Sequence, residues 1–232
     1  MNIDAYLSTI KNCCVLDIGA NVGGTIDMFA SNGCEVFAFE PNVNLYNENL
    51  KGKECDKIHV FNKAMSNKVG FTKFYLGSEV QAATIIKEMS NETRLGSNLH
   101  EYEVETETID NFCESNNIKP DFIKIDVEGA EHLVIEGGEN VIQKYLPTIV
   151  FECGFGTNVH ETSKQPYLYK DLVAPHIKFL DELNYALYII DVFFSQGENF
   201  YSDNPSQLIK FHINRIPDCN WLGVNFLALP CI

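Results

Sequence analysis

Short apolar runs, each bounded by glycine, asparagine or charged residues, alternate with stretches of helical period along most of the chain. The runs at 13–18, 35–40, 58–62, 121–126 and 147–152 read as buried strands. Between them, 22–31 reads as a helix stopped by Asn32-Gly33, and 42–50 and 109–116 as two more. A further helix opens at Gly129 and closes at Gly137-Gly138, and 167–183 reads as a long one ending at Asn184. Residues 2–11 predict a short helix ahead of the first strand. A βαβαβ rhythm implies a parallel sheet with right-handed crossovers, covered by helices on both faces.

Two regions break that rhythm. Residues 68–76 and 102–108 alternate apolar and polar positions, which predicts added antiparallel strands around a polar loop through Gly96, serving either as a lid or as surface decoration. Near the end, 185–191 and 223–229 predict a last pair of strands, antiparallel through the intervening loop and Phe211. At 232 residues the pattern fits a single α/β domain over 1–232, a doubly wound, mostly parallel sheet with an antiparallel C-terminal strand pair and a small β insertion. The motif-rich part is 13–155, and 156–232 is the expected seat of substrate choice.

The first strand runs straight into Asp17-Ile18-Gly19-Ala20-Asn21-Val22-Gly23-Gly24-Thr25, and the second ends in Phe39-Glu40-Pro41. Gly19 and Gly23 suit backbone angles closed to other residues and let a ligand lie against the main chain. The amides of Asn21 to Thr25 open a helix N-terminus that favours an anionic group. Glu40, about 20 residues after the first glycine, ends a strand where a carboxylate accepts two ribose hydroxyls and repels a 2′-phosphate. A dinucleotide site requires glycine where this chain has Asn21, so that its backbone meets the pyrophosphate closely. Asp17, at the loop mouth, also repels phosphate but suits an ammonium. A ligand with an adenosine, a cationic amino-acid tail and no phosphate satisfies both, and S-adenosylmethionine is such a ligand; a dehydrogenase is the competing enzyme class, and a non-catalytic binding module a third reading.

With 32 acidic against 17 basic residues, the net charge of −15 opposes a nucleic-acid partner. The eight cysteines form no Cys-x-x-Cys pair, and several fall in apolar runs, as buried free thiols do. No apolar run approaches ~18 residues and no basic patch precedes an apolar leader, so the expectation is a cytoplasmic protein without a membrane partner. The chain is equally compatible with one domain of a longer polypeptide.

The fourth strand ends in Lys124-Ile125-Asp126-Val127-Glu128-Gly129-Ala130-Glu131, and the fifth in Phe151-Glu152. Lys124 and Asp126 share a strand face, as an ion pair would, and Glu131 suits a helix N-terminus. Two neighbouring strand tips that aim carboxylates into one crevice also suit acid–base chemistry. His160, in the loop after strand five, is a rival base, while His59, His100, His132, His176 and His212 lack distinguishing context. Tyr167, Tyr169, Phe193, Phe194, Phe200, Tyr201 and Trp221 offer rings for stacking on sugars, although strand and helix spacing accounts for most of them as core.

Taken in order, Asp-Ile-Gly-Ala-Asn-x-Gly, Phe-Glu-Pro, Ile-Lys-Ile-Asp-Val-Glu-Gly-Ala-Glu and Pro-x-Ile-x-Phe-Glu resemble the FkbM family of S-adenosylmethionine-dependent methyltransferases over residues 13 to 155. The resemblance implies a Rossmann-like class I methyltransferase that methylates hydroxyl oxygens, often of sugars or polyketide products. Asp17, Gly19, Asn21, Gly23 and Thr25 would hold the methionine end, Glu40 with Pro41 the ribose, and Asn62 with Ala64 the adenine side. Asp126, Glu128 and Glu131 would fall near the transferred methyl. The chemistry then expected is proton removal from an acceptor hydroxyl by Asp126, or polarisation of that hydroxyl by Mg²⁺ or Mn²⁺ held on Asp126 and Glu152, with Glu152 and Lys124 as further catalytic residues. The acceptor is a carbohydrate or another small-molecule hydroxyl, and the oligomeric state is open.

Overall fold

The structure, a computed structural model, describes residues 3–77, 83–87, 99–153, 169–192, 209–210 and 224–231. His160, Tyr167, Phe193, Phe194, Phe200, Tyr201, Phe211 and Trp221 lie outside the described residues, as does most of the loop through Gly96.

Strands β1 (Cys14–Ile18), β2 (Glu35–Phe39) and β3 (Ile58–Phe61) pair in parallel, with β2 in the middle. Four more strands belong to the insertion: β4 (Ala64–Met65), β5 (Gly70–Leu76), β6 (Ala83–Thr84) and β7 (His100–Glu107). The main sheet resumes with β8 (Phe122–Ile125) and β9 (Thr148–Cys153), then β10 (Tyr185–Val192), β11 (Ile209–Lys210) and β12 (Val224–Pro230). Among the described residues its order is β11-β10-β12-β9-β8-β1-β2-β3. From β9 to β3 every neighbouring pair is parallel, whereas β12 runs antiparallel between β9 and β10. The expected C-terminal pair is therefore present, and β11 adds an edge strand that the sequence pattern did not suggest.

Alternation along each strand sends side chains to two separate cores. Leu16, Ile18, Phe37, Phe39, Ile123 and Ile125 pack on one face, against helices α4 (Ile109–Asn116), α5 (Glu131–Glu136), α6 (Glu139–Tyr145) and α7 (Tyr169–Glu182). Val15, Val36, Ala38, Val60 and Phe122 pack on the other, with Leu7 of α1 (Ile3–Leu7), Ile26 and Phe29 of α2 (Gly24–Ser31), and Leu50. A sheet covered on both faces is the doubly wound arrangement that the rhythm implied.

Two predicted helices are shorter than their patterns. The N-terminal one stops at Leu7, where the Ser8 and Thr9 hydroxyls donate to the Ala5 and Tyr6 carbonyls and compete with helical pairing. The helix after strand two is α3 (Val43–Leu45), which passes into a π turn at Tyr46–Leu50 and a 3₁₀ turn at Lys51–Lys53.

The insertion forms a second sheet in the order β4-β7-β5-β6, with β5 antiparallel to both neighbours. Phe74 and Tyr102 meet edge-on at 5.3 Å between centroids, and Val104 and Ala64 close its small core. The chain leaves β1 towards β2 on one side and reaches β8 on the other, so the strand order reverses at β1. In open α/β sheets a ligand crevice forms outside the carboxyl ends at such a reversal.

Candidate active site

A cleft opens at that point, with about 690 Å³ of empty volume, part of it open to solvent. Gly19 and Asn21 of the glycine loop, Glu40, Pro41 and Asn42 after β2, and Asp126, Val127 and Glu128 after β8 all line it. The insertion supplies the facing wall with Phe74, Ala83, Thr84 and Ile85. That wall makes the insertion part of the site and not decoration; Ala64 of β4 apart, its lining residues were not singled out from sequence, because no local motif marks a strand that returns over a distant loop.

Glu40 organises one end of the cleft. Its side chain is buried, with Oε2 accepting the Asn21 amide at 2.9 Å and Oε1 the Asn42 amide at 2.8 Å. Burial raises its pKa, against which the two amide bonds pull it down. The anion met by the amide of Asn21 is thus the protein's own carboxylate, while the Gly23 amide is taken by the Ala20 carbonyl. Each carboxylate oxygen keeps a second lone pair for a hydroxyl donor.

Several residues expected to touch the ligand act from behind the cleft. Asp17 is fully buried beneath the loop and does not line the cleft. Its Oδ2 accepts the Thr25 hydroxyl at 2.6 Å and its Oδ1 lies 3.4 Å from Lys124 Nζ, so both Asp17 and Thr25 serve to fasten β1 to the helix and strand beside it. Gly23, at φ 81°, faces Leu50 and Lys53, where a Cβ would come within 2.7 Å of Leu50, so its missing side chain makes room for protein and not for ligand. Asn62 spends its amide on the Glu40 and Pro41 carbonyls at 2.8 and 3.1 Å, holding the acidic tip in shape, whereas Ala64 does line the cleft. Glu131 is buried, and its Oε1 accepts the Val127 and Gly129 amides at 3.1 Å each, which ties down the loop after β8.

Lys124 is likewise not a surface participant. Its ammonium sits 3.4 Å from Asp126 and 3.3 Å from the Gly19 carbonyl as well as beside Asp17. Burial would lower its pKa, but the Asp17 and Asp126 carboxylates outweigh that and hold it above the ordinary lysine value. A lysine kept charged in this way is a fixed cation that orients Asp126; it is unsuited to exchange protons itself, which corrects its expected catalytic role.

Asp126 is the exposed end of this chain of charges, its side chain 41% accessible and lining the cleft. Glu152, on the neighbouring strand tip, has its pKa pushed up to about 8 by burial and by the nearby Asp126, Glu128 and Glu131 carboxylates. Burial and the neighbouring carboxylates thus favour the neutral carboxyl of Glu152 over its anion. This arrangement suits the expected Mg²⁺ or Mn²⁺ poorly: the Lys124 ammonium lies 3.4 Å from Asp126, where it competes with a cation, and among the described residues no three His, Cys, Asp or Glu side chains converge.

The family model described as Methyltransferase FkbM domain matches residues 17–187. No curated protein matches the chain in sequence. Among solved structures, the methyltransferase FkbM from Methylobacillus flagellatus KT superposes with a TM-score of 0.52 at 13% identity, over 93% of this chain and 43% of that one. This chain thus spans less than half the length of that relative. A precorrin-6y C5,15-methyltransferase from Geobacter metallireducens GS-15 aligns at 12% identity and a TM-score of 0.46, covering 98% of this chain and 87% of its own. A putative rRNA-methylase from Clostridium thermocellum aligns at 10% and 0.48, covering 97% and 92%. At 13% identity the first likeness establishes the fold alone.

Proposed function

The chain belongs to the FkbM methyltransferase domain family, and from that premise we propose that it transfers the methyl group of S-adenosyl-L-methionine to a hydroxyl oxygen, of a sugar or glycan first and of another small-molecule alcohol second. The observation that carries the reading is that one cleft holds Glu40 at one end and Asp126 at the other, on strand tips either side of β1.

Glu40 would hold the ribose hydroxyls on its remaining lone pairs. Gly19 and Asn21 would face the amino-acid end, where Asn21 Oδ1, buried and without a hydrogen-bond partner among the described residues, offers an acceptor to an ammonium. When bound, the cofactor supplies an electrophilic methyl on a sulfonium. The acceptor oxygen must then be aligned about 3 Å from that carbon with water kept out. Asp126, oriented by Lys124, would take the proton of the acceptor hydroxyl.

A net charge of −15 disfavours a polyanionic acceptor, which supports an uncharged hydroxyl over nucleic acid. Among the described residues no helix is long and apolar enough to cross a membrane.

The test begins with calorimetric titration of S-adenosylhomocysteine, with NAD as control. Incubation with methyl-labelled S-adenosylmethionine and a panel of deoxysugars, sugars and small alcohols follows, read by mass spectrometry. Binding of S-adenosylhomocysteine with labelled ether product is expected. Binding of NAD alone would overturn the cofactor, and labelling confined to nitrogen or carbon acceptors would overturn the hydroxyl.

A further inference from the structure

Asn42 follows Glu40 by two residues and is 1% exposed, yet it lines the cleft. Its side-chain oxygen is committed: Oδ1 accepts the Asn44 amide at 3.0 Å and the Leu45 amide at 3.4 Å, capping the start of α3. A flipped carboxamide would aim its NH₂ at two N–H donors, so the network leaves a single orientation. In that orientation Nδ2 is buried and has no hydrogen-bond partner among the described residues. Buried donors are almost always paired, and one left unpaired in a residue that lines a ligand cleft marks a place for a ligand acceptor.

The position of Asn42 says which acceptor. Glu40, whose Oε1 holds the Asn42 main-chain amide, is the ribose carboxylate, and the amino-acid end lies towards Gly19 and Asp126. The same cleft is lined by the apolar side chains of Leu45, Ala64, Phe74, Ala83 and Ile85, which is the lining a flat aromatic base requires. We infer that Asn42 is a specificity-determining residue that donates its side-chain amide to a ring nitrogen of the adenine base. The exocyclic amino group of adenine is itself a donor and cannot serve, so the contact selects a purine edge with a bare ring nitrogen and rejects one that presents N–H there. This rests on the reading of the cleft as an S-adenosylmethionine site and adds the residue that reads the base.

Two variants separate the donor from the cap. Asn42→Asp keeps an oxygen for the Asn44 and Leu45 amides and removes the NH₂; Asn42→Ser keeps a neutral capping oxygen on a shorter arm. Each is titrated with S-adenosylhomocysteine and with its 1-deaza, 3-deaza and 7-deaza analogues, in which one ring nitrogen becomes C–H. The expected result is normal melting with affinity for S-adenosylhomocysteine reduced about tenfold or more in both variants. One deaza analogue should lose a similar factor on the wild-type chain and nothing further on Asn42→Ser, the coupling that a merely structural role would not produce. Variants that bind S-adenosylhomocysteine as the wild type does, or three analogues that all bind the wild type like the parent, overturn the assignment of Asn42. A wild-type chain that binds none of these ligands overturns the cofactor reading and the assignment with it. Should Asn42→Asp fail to fold beside Glu40, Asn42→Ser carries the test alone.

Discussion

Gly19 packs so closely on Asp126 that a Cβ built on the glycine would lie 1.8 Å from the Asp126 carbonyl oxygen. The Gly19 φ of 81° is also a conformation that L-residues with side chains rarely adopt. The loop that begins the cofactor half of the cleft and the strand tip that carries the proposed base are thus in direct backbone contact. Gly19→Ala is expected to lose about 2–5 kcal/mol of stability from overpacking and backbone strain together. Urea unfolding within about 0.5 kcal/mol of wild type would show that the two backbones part easily.

The buried charges of Asp17 and Lys124 depend on each other. They are register partners on β1 and β8, and Asp17 is wholly shielded from water. Lys124→Met should cost about 3–5 kcal/mol by leaving Asp17 uncompensated, and adding Asp17→Asn should restore much of the loss. Strictly additive losses in a double-mutant cycle by denaturant melts would argue that the pair is not coupled.

Asp126→Asn keeps the side chain's size and removes the basic oxygen. Turnover on an accepted hydroxyl should fall about 10²–10⁴-fold with affinity for S-adenosylhomocysteine little changed. Undiminished kcat would remove Asp126 from proton transfer, and a fall confined to cofactor affinity would make it a binding group instead.

Glu152 carries a pH signature. Its pKa rises from the ordinary 4.5 to about 8 in the folded protein, so between those values the native chain holds a proton that the unfolded chain has released. The corresponding stability is complete below the ordinary value and is lost as the pH rises through about 8. Glu152→Gln, which stays neutral, should therefore gain in Tm over wild type as pH is raised from 5 to 9, in scanning calorimetry across ~pH 5–9. A constant difference between the two would mean that Glu152 titrates in its ordinary range.

Much of the molecule is legible in the chain because apolar periodicity and loop chemistry are local. Helix α4 stands where its pattern places it, at Ile109–Asn116, with Thr108 capping it through a hydrogen bond to the Asn111 amide. The strands, their parallel core, the glycine loop and the acidic tips at Glu40, Asp126 and Glu152 follow from runs of a few residues read by the same logic.

Contacts between distant segments are another matter. Asp17 and Thr25 look like ligand groups in the sequence and prove to be buried fasteners, because β8 arrives beside β1 with Lys124 in register opposite Asp17. Phe74, Thr84 and Ile85 carry no motif and yet form a wall of the cleft, because the insertion folds back over strand tips remote in the chain. Asn42 reads locally as a helix cap, and only the three-dimensional packing exposes its other half as an unpaired donor. By itself the sequence determined the elements and the family of the chain, since those reside in spacing along one strand or loop. Tertiary structure alone decided which polar groups face the cleft and which face each other, since that depends on which strands become neighbours and in what register.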